Sequence, residues 1–332
     1  MPDTQTNGDL LEVKDLKTWF PVKAGVIPRT VGHVRAVDGV SLSVSRGESV
    51  GLVGESGCGK TTLARTVLGL DPLHAGTVRF EGQDILSLTG GELRAARRNL
   101  QIIFQDPFSS LNPRMTVIDI VTEGLLEHGM IHPKEQENAA RELLEDVGMD
   151  DDALHRYPHE FSGGQRQRIS IARAIAFKPR LVICDEAVSA LDVSVQAQII
   201  NLLIELREKH ELSYLFISHD LGVVRHLCDR TAVMYLGRIV ESGTSEQIIS
   251  DPRHPYTRAL VSAIPRAGAE KTERIALSGE VPSPSNPPPG CRFHTRCAHV
   301  TDACKQTEPT LETIDDGTRQ AACIRIGEIQ AN

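Results

Sequence analysis

A nine-residue stretch, GESGCGKTT at Gly54–Thr62, has the residue types and spacing of a phosphate-binding loop. Glycines let the backbone curl so that its N–H groups face an anion, and the positive end of a following helix adds to the attraction. In this pattern the lysine reaches the β- and γ-phosphates, and the next hydroxyl ligates Mg²⁺. The alternative is a plain glycine turn. The residues predicted to contact phosphate or Mg²⁺ are Gly54, Ser56, Gly57, Cys58, Gly59, Lys60, Thr61 and Thr62.

Two neighbouring carboxylates, Asp185 and Glu186, follow the apolar run Leu181–Cys184, which predicts a buried strand. Asp185 is predicted to hold Mg²⁺ through water, while Glu186 could orient or deprotonate a water that attacks the γ-phosphate. The alternative is that the pair simply caps the next helix. Cys184 is more simply a small core residue than a metal ligand.

A third element, Ser162-Gly163-Gly164-Gln165, opens a stretch with helical periodicity that runs to about Phe177. A serine N-cap followed by two glycines exposes N–H groups at the positive end of a helix. SGG alone is a weak signal, because many flexible loops contain it. The longer SGGQRQR, placed before an amphipathic helix and ahead of the apolar strand that ends in DE, is specific and predicts a second anion site.

Strand and helix alternate around these motifs, which favours a mostly parallel sheet covered by helices. The phosphate loop itself lies between a short apolar run, Val50–Val53, and a helical stretch, Lys60–Leu70. The pattern turns helical over 107–160, which predicts an inserted helical subdomain. The other predictions are strands at Val34–Val44, Gln101–Phe104, Tyr214–Ser218 and Thr231–Tyr235, a hairpin at Gly76–Ile85, and helices at Val117–Glu127, Ala139–Val147, Val195–Lys209 and Leu221–Cys228.

The composition excludes several classes of function. The 332 residues carry a formal net charge of −8 and only 4% aromatic side chains, so we expect neither a basic nucleic-acid surface nor a base-stacking platform. The polar N-terminal segment has no apolar signal core, and no apolar run reaches the roughly 18 residues of a membrane span. We therefore expect a soluble chain whose role at a membrane would depend on a partner.

Three shorter motifs complete a set: FQD at Phe104–Asp106, SALD at Ser189–Asp192 and SHD at Ser218–Asp220. The whole set resembles the nucleotide-binding subunits of ABC transporters. This resemblance implies an α/β P-loop NTPase with a RecA-like parallel-sheet core, an antiparallel β subdomain, an inserted α-helical subdomain and a small Cys-rich C-terminal appendage. It also implies that two such domains pair head to tail and enclose MgATP.

The same resemblance implies a role for individual residues. The phosphate loop of one copy and the SGGQ helix of the other would hold ATP between them, so Ser162, Gly163 and Gly164 would act in trans. Phe20 aligns with the aromatic residue that stacks on adenine, although an edge-strand residue packing on the core is the alternative, and Pro21–His33 looks like an insertion. The remaining roles are Gln105 as sensor of Mg²⁺ and water, Asp192 as a contact across the dimer, His219 at the γ-phosphate, and Lys60 with Glu186 in catalysis.

Within the ABC transporters, the sequence most resembles the ATPases of oligopeptide and dipeptide importers. This resemblance rests on IIFQDPFSSLNPRMTV at Ile102–Val117, HPYTRALVSAIP at His254–Pro265 and GCRFHTRC in the tail, and the FPVK insertion resembles the F-type subunit. Such proteins are implied to work as a D/F heterodimer beneath two membrane permeases, fed by an extracytoplasmic solute-binding protein. The expected location is the cytoplasmic face of a bacterial or archaeal inner membrane. The predicted division is a nucleotide-binding domain over 10–250, with its helical subdomain at about 107–175, and a C-terminal region over 251–332.

Four cysteines, Cys291, Cys297, Cys304 and Cys323, cluster after a proline-rich linker at 282–289. Four thiolates can hold zinc or an iron–sulfur cluster, and without an export signal such a group indicates a metal site before it indicates disulfides. The spacing lacks the close pairs of zinc ribbons. The family resemblance implies a [4Fe–4S] cluster, while zinc or no bound metal stay open.

Other functions compete with peptide import. Nickel, glutathione and oligosaccharide importers share this architecture, and the sequence does not reveal the solute. A soluble ABC protein acting on ribosomes or DNA would usually carry two cassettes, long coiled arms or basic surfaces, none of which the sequence displays. A regulatory or iron–sulfur-assembly ATPase would fit the cysteine tail, but FQDPFSSLNPRMTV favours a contact with a permease.

Overall fold

The structure, a computed structural model, describes residues 8–25, 29–106, 110–264, 275–315 and 317–329. These residues form two compact units that are interleaved along the chain. The unit named here the phosphate-loop unit comprises Gly8–Val44, Ser49–Ser87 and the described residues from Ser218 onward. The other, named the signature unit, comprises Ser45–Glu48 and the described part of Leu88–Ile217.

The phosphate-loop unit begins with an antiparallel sheet in the strand order β2-β1-β4-β5. Elements are numbered along the chain. The first six elements of this unit are β1 (Leu11–Ala24), β2 (Arg29–Val44), β3 (Ser49–Val53), α1 (Lys60–Val67), β4 (Ala75–Phe80) and β5 (Gln83–Asp84).

The long β1–β2 hairpin corrects one prediction. The strand predicted at Val34–Val44 begins earlier, at Arg29, and most described residues of Pro21–His33 extend the hairpin, with Phe20 opposite Val34 and Ala24 opposite Arg29. Proline is tolerated here because β1 pairs with β4 only as far as Lys17, so beyond that point β1 has a partner on one side. The predicted hairpin at Gly76–Ile85 is confirmed by β4 and β5.

The end of one helix differs from its prediction for a local reason. Helix α1 ends at Val67, before the predicted Leu70, because Gly69 takes a left-handed φ of 66° and its N–H donates to the carbonyl of Thr66 at 2.9 Å. Strand β3 is buried at all five positions, as expected for a strand covered on both faces.

The C-terminal part of the phosphate-loop unit adds further strands to β3. The remaining elements of the unit are α7 (Leu221–Leu227), β9 (Arg230–Tyr235), β10 (Arg238–Thr244), α8 (Ser245–Ser250), α9 (Pro255–Ser262), α10 (Asp302–Gln306), β11 (Glu312–Ile314) and β12 (Arg319–Ala321). Strand β9 is parallel to β3, and β10, β12 and β11 follow in antiparallel order. The cysteine-containing tail therefore does not form a separate appendage, since β12 pairs with β10 and Arg319 forms a buried ion pair with Glu241 at 2.5 Å.

The signature unit combines three parallel strands with helices. Its elements are α2 (Gly90–Asn99), β6 (Leu100–Ile103), α3 (Val117–Glu127), α4 (Gln136–Asp146), α5 (Gly163–Ile175), β7 (Leu181–Asp185), α6 (Val193–His210) and β8 (Ser213–Ser218). Strand β7 lies between β6 and β8, parallel to both. Helices α3, α4 and α5 pack together and bury one apolar face each, as the predicted helical subdomain requires.

The predicted division into domains at 10–250 and 251–332 stays a prediction. The two units cannot be compared with it directly, because each unit comprises several separate stretches of the chain. Among the described residues no helix has the length and apolar character needed to cross a lipid bilayer. The sequence did not predict α2, which buries no residue, or β10–β12, whose short strands lack a clear alternating pattern.

Candidate functional site

The phosphate loop connects the end of β3 to the start of α1 and wraps around the side chain of Lys60. Lys60 is only 4% exposed, and its ammonium group donates to the carbonyl oxygens of Gly54 at 2.8 Å and Glu55 at 3.1 Å. Ser56, Gly57 and Thr61 are exposed, while Cys58 is buried. Burial raises the pKa of the Cys58 thiol, so this side chain packs as a neutral group.

Two glycines of this loop occupy positions that no side chain could share. Gly59 has a left-handed φ of 108°, and a Cβ added there would lie 2.1 Å from the carbonyl oxygen of Ala36. A Cβ on Gly54 would lie 2.2 Å from the carbonyl oxygen of Met234. The loop backbone is therefore packed directly against neighbouring backbone, which fixes its curvature.

The two predicted acidic residues lie at the carboxyl end of β7, in the signature unit. Asp185 is the last residue of the strand and is 3% exposed. Glu186 has a left-handed φ of 49°, a strained conformation that is uncommon for non-glycine residues. Its N–H donates to the carbonyl of Ile217, and its carbonyl accepts from the N–H and hydroxyl of Ser189. The first residue of the SALD motif thus holds the backbone of Glu186.

Gln105 and Glu186, two of the predicted site residues, contact each other. Strands β6 and β7 are parallel with Ile103 opposite Cys184, so the residues that follow them share one edge. The Gln105 side-chain amide donates to the Glu186 carboxylate at 3.0 Å. This contact links an Mg²⁺-sensing candidate to the candidate base.

The start of α5 has the predicted capping geometry. The Ser162 hydroxyl accepts from the N–H of Gln165 at 3.4 Å, and the Gln165 side chain accepts from the N–H of Ser162 at 3.0 Å. A Cβ on Gly164 would lie 2.4 Å from Cγ1 of Val195 on α6. Glycine at position 164 lets α5 pack closely against α6. Asp192 is exposed at the N-cap of α6.

His219 and the aromatic pair Trp19 and Phe20 belong to the phosphate-loop unit. His219 is exposed and directly follows β8. Trp19 stacks on His74 with ring centroids 4.1 Å apart, and its indole N–H donates to Asp38 at 3.1 Å. Phe20 is half-buried on the same strand. Because Trp19 is engaged in packing, these contacts favour Phe20 over its neighbour as an adenine contact.

The four tail cysteines converge in the phosphate-loop unit. The backbone N–H groups of Phe293, His299 and Arg325, each two residues after a cysteine, donate toward the sulfur atoms of Cys291, Cys297 and Cys323. The Cys304 sulfur lies 3.3 Å from the Thr301 hydroxyl. Burial, with the neighbouring thiols, raises the pKa of Cys291 to about 11. Among the described residues, no three His, Cys, Asp or Glu side chains are positioned together to hold a metal ion.

Sequence reasoning missed the groups that support the phosphate loop from the C-terminal segment. The loop residue Glu55 contacts Tyr256 on α9 and Arg296 in the tail. Both residues lie in motifs that carry the family resemblance, Tyr256 in HPYTRALVSAIP and Arg296 in GCRFHTRC, but neither motif indicates a contact with the loop. His254, the first residue of the HPYT motif, caps α9, since its Nδ1 accepts from the N–H of Tyr256 at 3.1 Å.

Comparison with known proteins identifies this arrangement of motifs. The model of the ABC transporter family matches residues 37–189, and that of the oligopeptide/dipeptide transporter C-terminal region matches residues 240–304. An oligopeptide transport ATP-binding protein, AppF of Bacillus subtilis strain 168, is 52% identical over 91% of this chain and 93% of its own length. The chain belongs to the ABC transporter family. Its expected relationship to the oligopeptide/dipeptide transporter ATPases is also confirmed.

Other members of this ABC family support the same assignment. The dipeptide transport ATP-binding protein DppF of Haemophilus influenzae is 45% identical over 98% of this chain and 99% of its own length. The ATP-binding cassette MJ0796, solved as a post-hydrolysis dimer bound to ADP and Pi, is 27% identical with a TM-score of 0.63 over 71% of this chain and 98% of its own. The cbiO1 subunit from Clostridium perfringens, part of the ABC transporter complex cbiONQ, has a TM-score of 0.62 at 25% identity over 73% of this chain and 91% of its own. The predicted ABC ATPase fold and ATP hydrolysis are thereby confirmed.

Proposed function

We propose that this chain binds and hydrolyses MgATP to power the import of di- or oligopeptides. One observation carries the hydrolytic part of the proposal: Glu186 follows a buried strand in a left-handed conformation, with Gln105 donating to its carboxylate. An N-cap alone would not need that backbone conformation. The peptide part rests on relatives that span nearly the whole chain and are named for oligopeptide or dipeptide transport.

The residues of the phosphate loop would bind the nucleotide's phosphates. Lys60 presents an ammonium group, and Gly54, Ser56, Gly57, Cys58 and Gly59 supply the curled backbone beside the Thr61 and Thr62 hydroxyls. Phe20 would stack on adenine. Thr61, Gln105 and Asp185 would hold Mg²⁺, which would supply positive charge to offset that of the phosphates. The carboxylate of Asp185, buried at a strand end, fits this hard cation.

Positioning and charge neutralisation would supply most of the catalysis. Glu186 would accept a proton from the attacking water while Gln105 holds its carboxylate. His219 would contact the γ-phosphate. Glu186 directly follows β7 and His219 directly follows β8. Ligands bind at the carboxyl ends of the strands in parallel α/β sheets.

ATP would also join two nucleotide-binding subunits. We propose that Ser162, Gly163 and Gly164 of one subunit contact the nucleotide bound by the other, and that Asp192 lies at the same interface. The neighbouring Val193 is 84% exposed, an apolar side chain that the second subunit would cover. The second subunit would be a D-type ATPase, which makes the working pair a heterodimer.

Two permease subunits and an extracytoplasmic solute-binding protein would complete the importer. The chain would then sit peripherally on the cytoplasmic face of the membrane and contact the permeases through the region around Gln105. Co-purification from membranes with two hydrophobic subunits, and ATP hydrolysis stimulated by a peptide-loaded binding protein, test this function. A complex that responds to nickel, glutathione or an oligosaccharide but to no peptide would contradict the proposed solute.

The four tail cysteines would hold a [4Fe–4S] cluster. Four thiols are the usual ligands of such a cluster, and backbone N–H groups donate to three of them. Among the described residues these side chains are not yet placed together around one metal, so binding would require them to move closer. The cluster would stabilise the tail. Anaerobic purification with iron, sulfide and zinc analysis tests the proposal: stoichiometric zinc without sulfide, or no metal at all, would contradict it.

A further inference from the structure

Glu55, the second residue of the phosphate loop, is held by three separate groups of its own unit. Its N–H donates to the Tyr256 hydroxyl at 2.9 Å. Its carboxylate accepts two hydrogen bonds from the Arg296 guanidinium, at 2.6 and 3.0 Å. Its carbonyl accepts from the Lys60 ammonium group at 3.1 Å. The residue therefore links the phosphate-binding lysine to two side chains of the C-terminal segment.

The Arg296–Glu55 pair has the geometry of a strong ion pair. It is bidentate, and the Arg296 side chain is only 5% exposed, against 29% for Glu55. The hydrogen bonds that the Arg296 guanidinium donates to Glu55 raise the pKa of this guanidinium. The guanidinium also lies 5.9 Å from the centroid of the Tyr235 ring.

The segment that carries Arg296 is itself anchored to the phosphate-loop unit. Arg292 donates to the carbonyl of Leu236 at 2.7 Å and to the carboxylate of Asp38. Phe293 packs edge-on against Tyr235, with ring centroids 5.2 Å apart. These contacts fix the position from which Arg296 reaches the loop.

The charge of Glu55 explains why such a pair is needed. A carboxylate in the second position of an anion-binding loop repels phosphate, and the repulsion grows with the number of phosphate charges. Arg296 supplies the compensating positive charge, while Tyr256 fixes the peptide N–H of the same residue. Without Arg296 the loop would present one unpaired negative charge to its ligand.

We propose that Arg296 is a positioning residue for nucleotide binding, which neutralises Glu55 and, together with Tyr256, fixes the first turn of the phosphate loop. The C-terminal segment thereby sets the affinity of the loop for ATP. This inference rests on the proposed role of the phosphate loop in binding the nucleotide.

Nucleotide affinity of the full-length chain tests the inference through a double-mutant cycle. We expect Arg296→Gln to weaken ATP binding about tenfold, and AMP binding much less, because the triphosphate carries more charge. Glu55→Gln should strengthen ATP binding, because it removes a negative charge from the loop and leaves the positive charge of Arg296 unneutralised. The double variant Glu55→Gln/Arg296→Gln should return to within about twofold of the parent chain.

The matched control is Arg325→Gln, which removes an arginine of the same tail that donates to His299 and pairs with Glu328 away from the loop. It should leave ATP affinity unchanged. A purely structural role for Arg296 predicts that the double variant binds as weakly as Arg296→Gln, and that result, or unchanged affinity in Arg296→Gln, would overturn the inference. Should Arg296→Gln not fold, Glu55→Gln alone decides, because weaker binding there contradicts the charge argument.

The parent chain and Lys60→Ala separate this inference from the proposed function. If the parent chain binds ATP and Lys60→Ala does not, the phosphate loop has its proposed role whatever the arginine variants show. If the parent chain does not bind ATP, the proposed function itself is wrong.

Discussion

The buried histidine of the HPYT motif makes stability depend on pH. His254 is 1% exposed, accepts a hydrogen bond at Nδ1 from the N–H of Tyr256, and lies 5.7 Å from the Phe293 ring. Glu241 accepts a hydrogen bond from the backbone N–H of His254, and Arg319 pairs with Glu241. Burial lowers the pKa of His254 to about 3. Histidine at this position therefore folds as the neutral form.

The size and sign of the effect follow from proton linkage. In the unfolded chain the histidine has its ordinary pKa of about 6.5, so below that pH the unfolded state binds a proton that the folded state does not. The contribution of His254 to the free energy of unfolding is therefore fully present above about pH 7, and it falls as the pH drops toward the pKa of the folded state. Between about pH 8 and pH 5 the free energy of unfolding should fall by about 2 kcal/mol from this residue alone. That loss is the same for any folded pKa below about 4.

Urea unfolding of the parent chain and of His254→Asn at both pH values measures the effect. Asparagine keeps an oxygen that can accept the capping hydrogen bond but does not titrate. The difference in unfolding free energy between parent and variant should therefore shift by about 2 kcal/mol between the two pH values. His226→Asn, at an exposed histidine on α7, serves as the control and should show no comparable shift. An equal pH dependence in the parent and in His254→Asn would refute the reasoning.

Three further predictions concern the proposed sites. Gly59→Ala should weaken ATP binding about a hundredfold in a direct binding assay, because its φ is left-handed and its Cβ would meet Ala36; affinity within twofold of the parent would contradict this. Gly164→Ala should spare ATP binding but abolish turnover in a phosphate-release assay, since its Cβ would push against Val195; unchanged turnover would show that the signature helix tolerates the shift. Cys291→Ser should lower iron and sulfide content in elemental analysis, and full retention would exclude Cys291 as a ligand.

Much of the fold could be predicted because the core strands have simple patterns. Leu181–Cys184 is a continuous apolar run, and the structure buries β7 completely between two parallel neighbours. Helix α3 covers Val117–Glu127, the segment whose apolar spacing predicted it. The contact between Gln105 and Glu186 was also accessible, since residues that follow parallel strands share one edge of the sheet.

The features of the fold and site that could not be predicted depend mainly on contacts between residues far apart in the chain. Arg296 lies 241 positions from Glu55, and no local pattern indicates that the two meet. The strands β11 and β12 have three residues each, too few for an alternating pattern to be recognised, and they form because β10 offers an edge. Proline at position 21 obscured the long hairpin, since proline usually ends a strand unless one of its sides is unpaired.

The central claim is that this chain hydrolyses ATP with Glu186 as the base, within a dimer closed by the nucleotide. The most direct measurement compares phosphate release and subunit association, by size-exclusion chromatography with ATP and Mg²⁺, for the parent assembly and for Glu186→Gln. We expect the variant to bind ATP, release almost no phosphate and accumulate as a closed dimer. Normal phosphate release by Glu186→Gln, or ATP binding without any dimer, would contradict the account.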